Sequence, residues 1–192
     1  MLEVGDYVSS YIPALYGTAV TRLGETCNNA TQSFPSEGVL YAEIAALADD
    51  GLNRSISISD GSTSNRINIL FATADNNIRT IVLIGGVTSS DHTEVVSDFK
   101  EFNKIALRYK QDEFTTFING VQVDIDLSGN TFSAGTMTQL SFNVGNGSLP
   151  FYGKTKMVAT FPYLSNDEME CLTGEGYGTF EALAAAYSYT IK

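Results

Sequence analysis

Apolar and polar residues alternate with a period of two through much of the chain. Successive side chains of a β-strand point to opposite faces, so this period indicates strands with one buried face. The clearest case is Arg54–Ser59 (RSISIS), where Ile56 and Ile58 face inward and the serines outward. The pattern predicts eight main strands: Val39–Leu47, Arg54–Ser59, Arg66–Thr73, Ile78–Gly85, Asn103–Lys110, Phe114–Ile118, Gln139–Gly145 and Lys154–Phe161.

Turn residues separate these strands at short intervals. Asn119-Gly120 lies between two β-rich runs and predicts a two-residue hairpin turn with positive φ at both residues, after which a strand begins at Val121. Such spacing is typical of an all-β antiparallel sandwich. Four further features complete the prediction: loops at Asn28–Ser36 and Thr88–Asp91, a bend or bulge at Gly85-Gly86, and a short strand at Thr93–Val96.

The two ends differ from the middle. Residues 1–19 are rich in Tyr, Ser, Gly and Pro, and we interpret them as an extended N-terminal arm, with a loose linker as the alternative. Ser165 with Glu168 forms a capping-box pattern that starts a short helix, and Thr179 can cap a second at Phe180–Tyr187. We therefore divide the chain into the arm 1–19, a sandwich domain 20–163 that opens with a short strand at Val20–Leu23, and a helical closing segment 164–192.

The net charge of the chain argues against two classes of binding partner. Twenty-two Asp and Glu against eleven Lys and Arg give a net charge of -11 over 192 residues. Binding to nucleic-acid phosphates needs clustered Lys and Arg, so we expect neither nucleic acid nor anionic lipid as a partner. No apolar run approaches the roughly 20 residues that span a bilayer, so no membrane insertion is expected.

Three segments resemble a known family. Ile105-Ala106-Leu107-Arg108-Tyr109 followed by Phe114–Val121 (FTTFINGV) is similar to the central signature of concanavalin A-like and laminin-G-like jelly-roll domains. Gly5–Pro13 with Thr21-Arg22 resembles the lead-in that bacteriophage fibre and tail proteins carry before such a domain. Leu164–Thr173 resembles the helix that closes it. The resemblance implies a jelly-roll sandwich from a tail or head fibre.

The same resemblance implies a function and a location. It points to a non-enzymatic adhesion domain at the virion surface that binds host-surface or mucosal carbohydrate, contacts other fibre segments and forms a homotrimer. Tyr177 to Ile191 carries more apolar side chains than the edge of a small sandwich needs, which favours assembly. Two alternatives remain open: a structural fibre or capsid-decoration module without a ligand, and a monomer whose ends seal its own sandwich.

Glycoside hydrolases also use this fold and need two carboxylates that converge on the scissile bond. The glucanase pattern Glu-x-Asp-x-x-Glu is absent. Asp124 and Asp126 have i, i+2 spacing but follow directly after a hairpin, in a loop-bound segment without a third acid. Glu168 and Glu170 lie on the short helix, where i and i+2 point to different faces. We therefore expect no catalytic residue and no hydrolase activity.

Binding a sugar requires fewer specific groups than cleaving one. An exposed aromatic ring stacks on the sugar, and a few polar side chains bind its hydroxyls. Tyr152, beside Phe151 in a Gly/Pro-bounded loop, supplies the ring. The polar candidates in predicted loops are Asp75, Asn76, Asn77, Asp91 and His92.

Loop oxygens are also where a cation would bind. We expect no cofactor. Laminin-G-like and legume-lectin-like relatives often hold Ca²⁺ with such oxygens, so the resemblance makes calcium the one candidate metal. Turn chemistry explains the same Asp and Asn residues equally well. The loop residues concerned are Asp49, Asp50, Asp60, Asp75, Asn76, Asn77 and Asp91.

Overall fold

Two antiparallel sheets pack face to face. The computed structural model describes residues 28–29 and 33–174. Sheet A has the order β1-β10-β3-β4-β5-β6 and sheet B the order β11-β2-β7-β8-β9, which confirms the predicted all-β sandwich. The elements are β1 (Asn28–Asn29), β2 (Gly38–Ala46), β3 (Arg54–Ser59), β4 (Arg66–Phe71), β5 (Asn77–Ile84), β6 (Val87–Val95), β7 (Asn103–Lys110), β8 (Glu113–Ile118), β9 (Val121–Asp126), β10 (Gln139–Ser141), β11 (Gly153–Phe161) and α1 (Asn166–Thr173).

The main core lies between the sheets and follows from the period-2 pattern. Ile56 and Ile58 of β3 and Ile67 and Ile69 of β4 point from sheet A toward sheet B, and all four are fully buried. Ile105, Leu107 and Tyr109 of β7 meet them from the other side, together with Phe114 of β8. Burial of this much apolar surface is the main term that stabilises the fold.

A second, smaller core lies on the outer face of sheet B. Helix α1 packs there through Met169, over a cluster formed by Val39, Tyr41, Ala106, Phe117 and Leu164. The Ser165 hydroxyl accepts a hydrogen bond from the Glu168 amide, and the Glu168 side chain reaches back to the Ser165 amide, so the predicted capping box is confirmed. Within the described residues, no helix is long and apolar enough to cross a membrane.

Several predicted boundaries are wrong. Thr88–Asp91 is not a loop, because β6 runs from Val87 to Val95 and pairs with β5 around a turn at Gly85-Gly86, where φ is 58° and 79°. As an edge strand, β6 carries polar residues on both faces and therefore lacks the apolar alternation on which the prediction relied.

The remaining corrections concern the ends of elements. Asn28–Asn29 is a strand that pairs with β10, and β10 itself ends at Ser141 instead of Gly145. The strand predicted to begin at Val121 is confirmed as β9, and it includes Asp124 and Asp126. The arm 1–19, the strand Val20–Leu23 and the second helix Phe180–Tyr187 lie outside the described residues.

The predicted hairpin turn is confirmed and allows a test. Asn119 has φ 50° and Gly120 has φ 83°, and a Cβ on Gly120 would lie 3.0 Å from the Gly174 Cα. We expect Gly120→Val to lower the free energy of unfolding by about 1–3 kcal/mol through backbone strain. The close contact of the new side chain with Gly174 should add to this loss. Urea unfolding measures it. Gly147→Val, with φ 88° but open space around its Cβ, is the control for strain alone; equal losses would rule out a contribution from the contact with Gly174.

Candidate functional site

Four connections meet at one end of the sandwich, which we call the loop end: 47–53, 72–76, 96–102 and 148–152. Backbone hydrogen bonds tie them to one another and to the sheets. The Ala46 amide donates to the Phe99 carbonyl at 2.8 Å, and the Val96 amide donates to the Asn76 carbonyl at 2.9 Å. The loop end is therefore a fixed surface formed by both sheets.

Tyr152 gives the loop end an exposed aromatic ring. Tyr152 is 48% exposed, and the Arg54 guanidinium carbon lies 4.8 Å from the centroid of its ring. Arg54 in turn pairs with Asp50, with Nη2 and Oδ2 2.5 Å apart. This hydrogen bond is the main cause that holds the pKa of Asp50 below its ordinary value. The guanidinium therefore lies over one face of the Tyr152 ring and is paired there with the ionised Asp50 carboxylate.

Buried aromatic rings hold Tyr152 in place. Phe151, the preceding residue, packs on Phe71 with centroids 5.8 Å apart and on Phe142 at 6.0 Å. Phe71 also makes an edge contact with Phe99 at 5.2 Å. The Phe151 amide donates to the Phe142 carbonyl at 2.9 Å. The backbone at Tyr152 is thus fixed from below while its ring remains in solvent.

Two carboxylates lie close together nearby. Partial loss of hydration and then the charge of Asp75, which also hydrogen-bonds to it, raise the pKa of Asp49. The neighbouring Asn76 side chain hydrogen-bonds to the backbone instead: its Oδ1 accepts from the Phe99 amide at 3.2 Å. Across residues 33–174, no group of three or more His, Cys, Asp or Glu side chains is arranged to hold a metal ion. Calcium binding stays a prediction.

Of the other predicted ligand residues, Asn77 adjoins the loop end, whereas Asp91 and His92 lie away from it. Asn77 is the first residue of β5, and Asp91 and His92 are in the middle of β6, where they point to opposite faces. Asp91 forms a two-pronged pair with Arg79, whose Nε and Nη2 lie 2.7 and 2.5 Å from its oxygens. His92 is not in an exposed loop, because it sits between the edges of the two sheets. The six predicted residues therefore do not form one site.

His92 links the two sheets. Its Nε2 lies 3.3 Å from Glu94 of the same strand, and its Nδ1 lies 3.6 Å from Asp124 of β9. Asp124 and Asp126 share one face of β9, yet each has its own partner: Asp126 accepts from the Ser128 amide at 2.9 Å and from its hydroxyl.

Sequence reasoning missed two arginines that contact candidate residues, Arg54 at Tyr152 and Arg79 at Asp91. Arg54 has a weak signal in the sequence, an aspartate four residues before it. Arg79 has none, because its partner Asp91 comes from another strand and depends on the register.

Comparison with known proteins identifies the fold. No protein-family model and no curated protein sequence matches the chain. Among solved structures, the chain is similar to the Ruminococcus gnavus IT-sialidase CBM40 bound to α2,3-sialyllactose. The two are 15% identical with a TM-score of 0.61, over 73% of this chain and 84% of that one.

Two enzymes share the same architecture. The leech intramolecular trans-sialidase is 16% identical with a TM-score of 0.58; the match covers 74% of this chain but only 24% of the enzyme. A prokaryotic β-1,3-1,4-glucanase from a mouse hindgut metagenome is 14% identical with a TM-score of 0.52, over 69% of each chain. At these identities the likeness confirms the jelly-roll sandwich and says nothing about activity.

Proposed function

We propose that this chain is a non-enzymatic carbohydrate-binding domain that binds a sugar at its loop end. The observation that carries the proposal is the exposed Tyr152 ring, held beside the Arg54 guanidinium and the Asp50 carboxylate. The face of an aromatic ring takes the apolar face of a sugar, and charged groups at its rim bind hydroxyls. The sialyllactose complex on the same fold supports the proposal.

The absence of catalysis is part of this proposal. Two of the enzymes with this architecture cleave or rearrange glycosidic linkages according to their names. Here, the spaced carboxylates that the sequence offers, Asp124 and Asp126, point toward the edge between the sheets and bind His92 and Ser128. A hydrolase site needs its acid pair to face the substrate.

The biological setting is proposed from the resemblance of the lead-in, Gly5–Pro13 with Thr21-Arg22, to bacteriophage fibre proteins. On that basis the domain is displayed at the virion surface, binds host-surface or mucosal glycan, contacts other fibre segments and forms a homotrimer. A structural fibre or decoration module without a ligand is the competing proposal.

Glycan binding at the loop end has a direct test. A glycan array on the purified 192-residue chain identifies the bound sugar, and titration then compares variants. We expect Tyr152→Ala to weaken binding at least about tenfold, equivalent to about 1.4 kcal/mol, because the stacking surface is lost, whereas Tyr152→Phe keeps it. The control is Tyr163→Ala, which removes a different partly exposed ring, one that packs on Lys110.

Two results would count against the proposal. Binding of no glycan on the array would favour the structural module. Equal affinity of Tyr152→Ala and wild type would place the sugar elsewhere on the domain.

A further inference from the structure

Two exposed leucines accompany Tyr152 at the loop end. Leu52 is 53% exposed and Leu149 is 40% exposed. The Leu52 amide donates to the Asp50 Oδ1 at 3.0 Å, and the Ser55 amide donates to the Leu149 carbonyl at 3.2 Å. Both leucines are therefore fixed to the turn and the strand that carry the proposed sugar site. Exposed apolar side chains that are grouped in this way mark a binding surface, whereas scattered ones need no explanation.

Leu149 is held in an unfavourable backbone conformation. Its φ is 51°, in the left-handed region that bulky side chains rarely adopt. The following Pro150 favours an extended backbone at residue 149, which makes this conformation less favourable still. Strain of this kind is concentrated at ligand-binding sites. The other described non-glycine residues with positive φ are all Asn or Asp, which tolerate it: Asn76, Asp112 and Asn119.

The loop end is acidic. Partial loss of hydration and then the negative charge of Asp75 raise the pKa of Asp49. Arg54 adds a positive charge, but Asp50 is already paired with it. An anionic ligand would be repelled here, whereas a neutral ligand that donates a hydrogen bond is favoured. The four connections carry a single lysine, Lys100, against five acidic side chains: Asp49, Asp50, Asp75, Asp98 and Glu101.

Asp50 and Leu52 place a hydrogen-bond acceptor beside an apolar side chain. The Asp50 carboxylate has about four acceptor positions, of which the Leu52 amide and Arg54 use two. An acetamido group carries the complementary pair: an N–H that donates to a carboxylate and a methyl that packs on an apolar side chain. A sugar that carries only hydroxyl groups offers no such methyl.

We propose that the loop end binds a neutral 2-acetamido sugar. The sugar ring stacks on Tyr152, the acetamide N–H donates to Asp50, and the acetamide methyl lies against Leu52 and Leu149. This inference rests on the proposed function, because it names the class of saccharide that the same site takes. The acidic surroundings disfavour acidic saccharides, and the leucines favour the sugar that carries a methyl group.

Titration of the purified 192-residue chain with a matched set of sugars tests the assignment. The set consists of N-acetylglucosamine, N-acetylgalactosamine, their parent hexoses glucose and galactose, fucose, and N-acetylneuraminic acid. We expect one of the two acetamido sugars to bind at least about tenfold more tightly than its parent hexose. Saturation-transfer nuclear magnetic resonance should give its strongest signal at the acetamide methyl. Fucose has a methyl but no amide, and N-acetylneuraminic acid adds a carboxylate, so both should bind more weakly.

Leucine variants test the apolar contact. Asn tolerates the left-handed conformation, so Leu149→Asn removes the apolar side chain without adding strain. We expect it to weaken binding of the preferred acetamido sugar about fivefold and to leave the affinity for the parent hexose unchanged. Leu52→Asn makes the same test in the other loop. The matched control is Leu127→Asn, because Leu127 is 68% exposed but follows β9 at the opposite end of the sandwich.

The outcomes separate this inference from the proposed function. Equal affinities for the acetamido sugars and their parent hexoses, or tighter binding of fucose or N-acetylneuraminic acid, would overturn the acetamido assignment. If a hydroxyl-only glycan then lost affinity in Tyr152→Ala, the loop-end site would stand and only the class of sugar would be wrong. If an acetamido sugar bound without dependence on Tyr152, Leu52 or Leu149, the loop-end site itself would be wrong.

Discussion

Replacing Arg108 by alanine is expected to lower the free energy of unfolding by about 3 kcal/mol. The side chain of Arg108 is only 2% exposed and lies on the outer face of sheet B, below the closing segment. Its terminal nitrogens donate to the Leu164 carbonyl at 2.9 Å and the Thr115 hydroxyl at 3.0 Å, and one lies 2.8 Å from Glu113. The alanine variant leaves all three acceptors without this donor and opens a cavity.

Urea unfolding followed by far-ultraviolet circular dichroism measures this loss. The expected loss is at the low end for a buried ion pair. Among the described residues the Arg108 Nε has no hydrogen-bond partner, and Glu113 keeps its pair with Lys110 at 3.0 Å. Lys110→Met removes the exposed member of the same cluster and should cost no more than about 0.5 kcal/mol. If Arg108→Ala cost as little as Lys110→Met, the contact between Arg108 and the closing segment would not stabilise the fold.

Strands were predicted correctly where one face of the strand is apolar and the other is polar. In β3 the isoleucines enter the core and the serines do not, so the alternation is visible and the bounds are correct. In β6, Ser90, His92 and Glu94 occupy the inward positions at the open edge, and the outward positions are polar as well. A strand without contrast between its faces carries no period-2 signal.

The candidate site was predictable only in part. Tyr152 could be found from its loop and its size, and Asp75 from its turn. The Arg79–Asp91 pair could not, because the residues are twelve apart and a register irregularity between Val82 and Leu83 separates the strand pairing from the turn.

Phe71→Ala is expected to have the largest effect on stability, a loss of about 3–5 kcal/mol. Phe71 is 1% exposed, belongs to the main core and contacts the rings of Phe99 and Phe151. Removing its ring leaves a cavity at the loop-end side of the core. Chemical unfolding gives the value, and Phe71→Leu, which refills part of the volume, should recover more than half of the loss.

The same substitution should affect sugar binding, because Phe71 supports Phe151 and Phe151 precedes Tyr152. We expect Phe71→Leu, which stays folded, to bind the array-selected glycan several-fold more weakly than wild type. Ile58→Ala is the matched control: it deletes a fully buried side chain near the opposite end of β3, so it should destabilise the fold by about 2–5 kcal/mol without changing affinity. Titrations at a temperature where all variants are folded separate the two effects. Equal affinities of Phe71→Leu and Ile58→Ala would show that the aromatic floor does not position Tyr152, because loss of core volume anywhere would then have the same consequence.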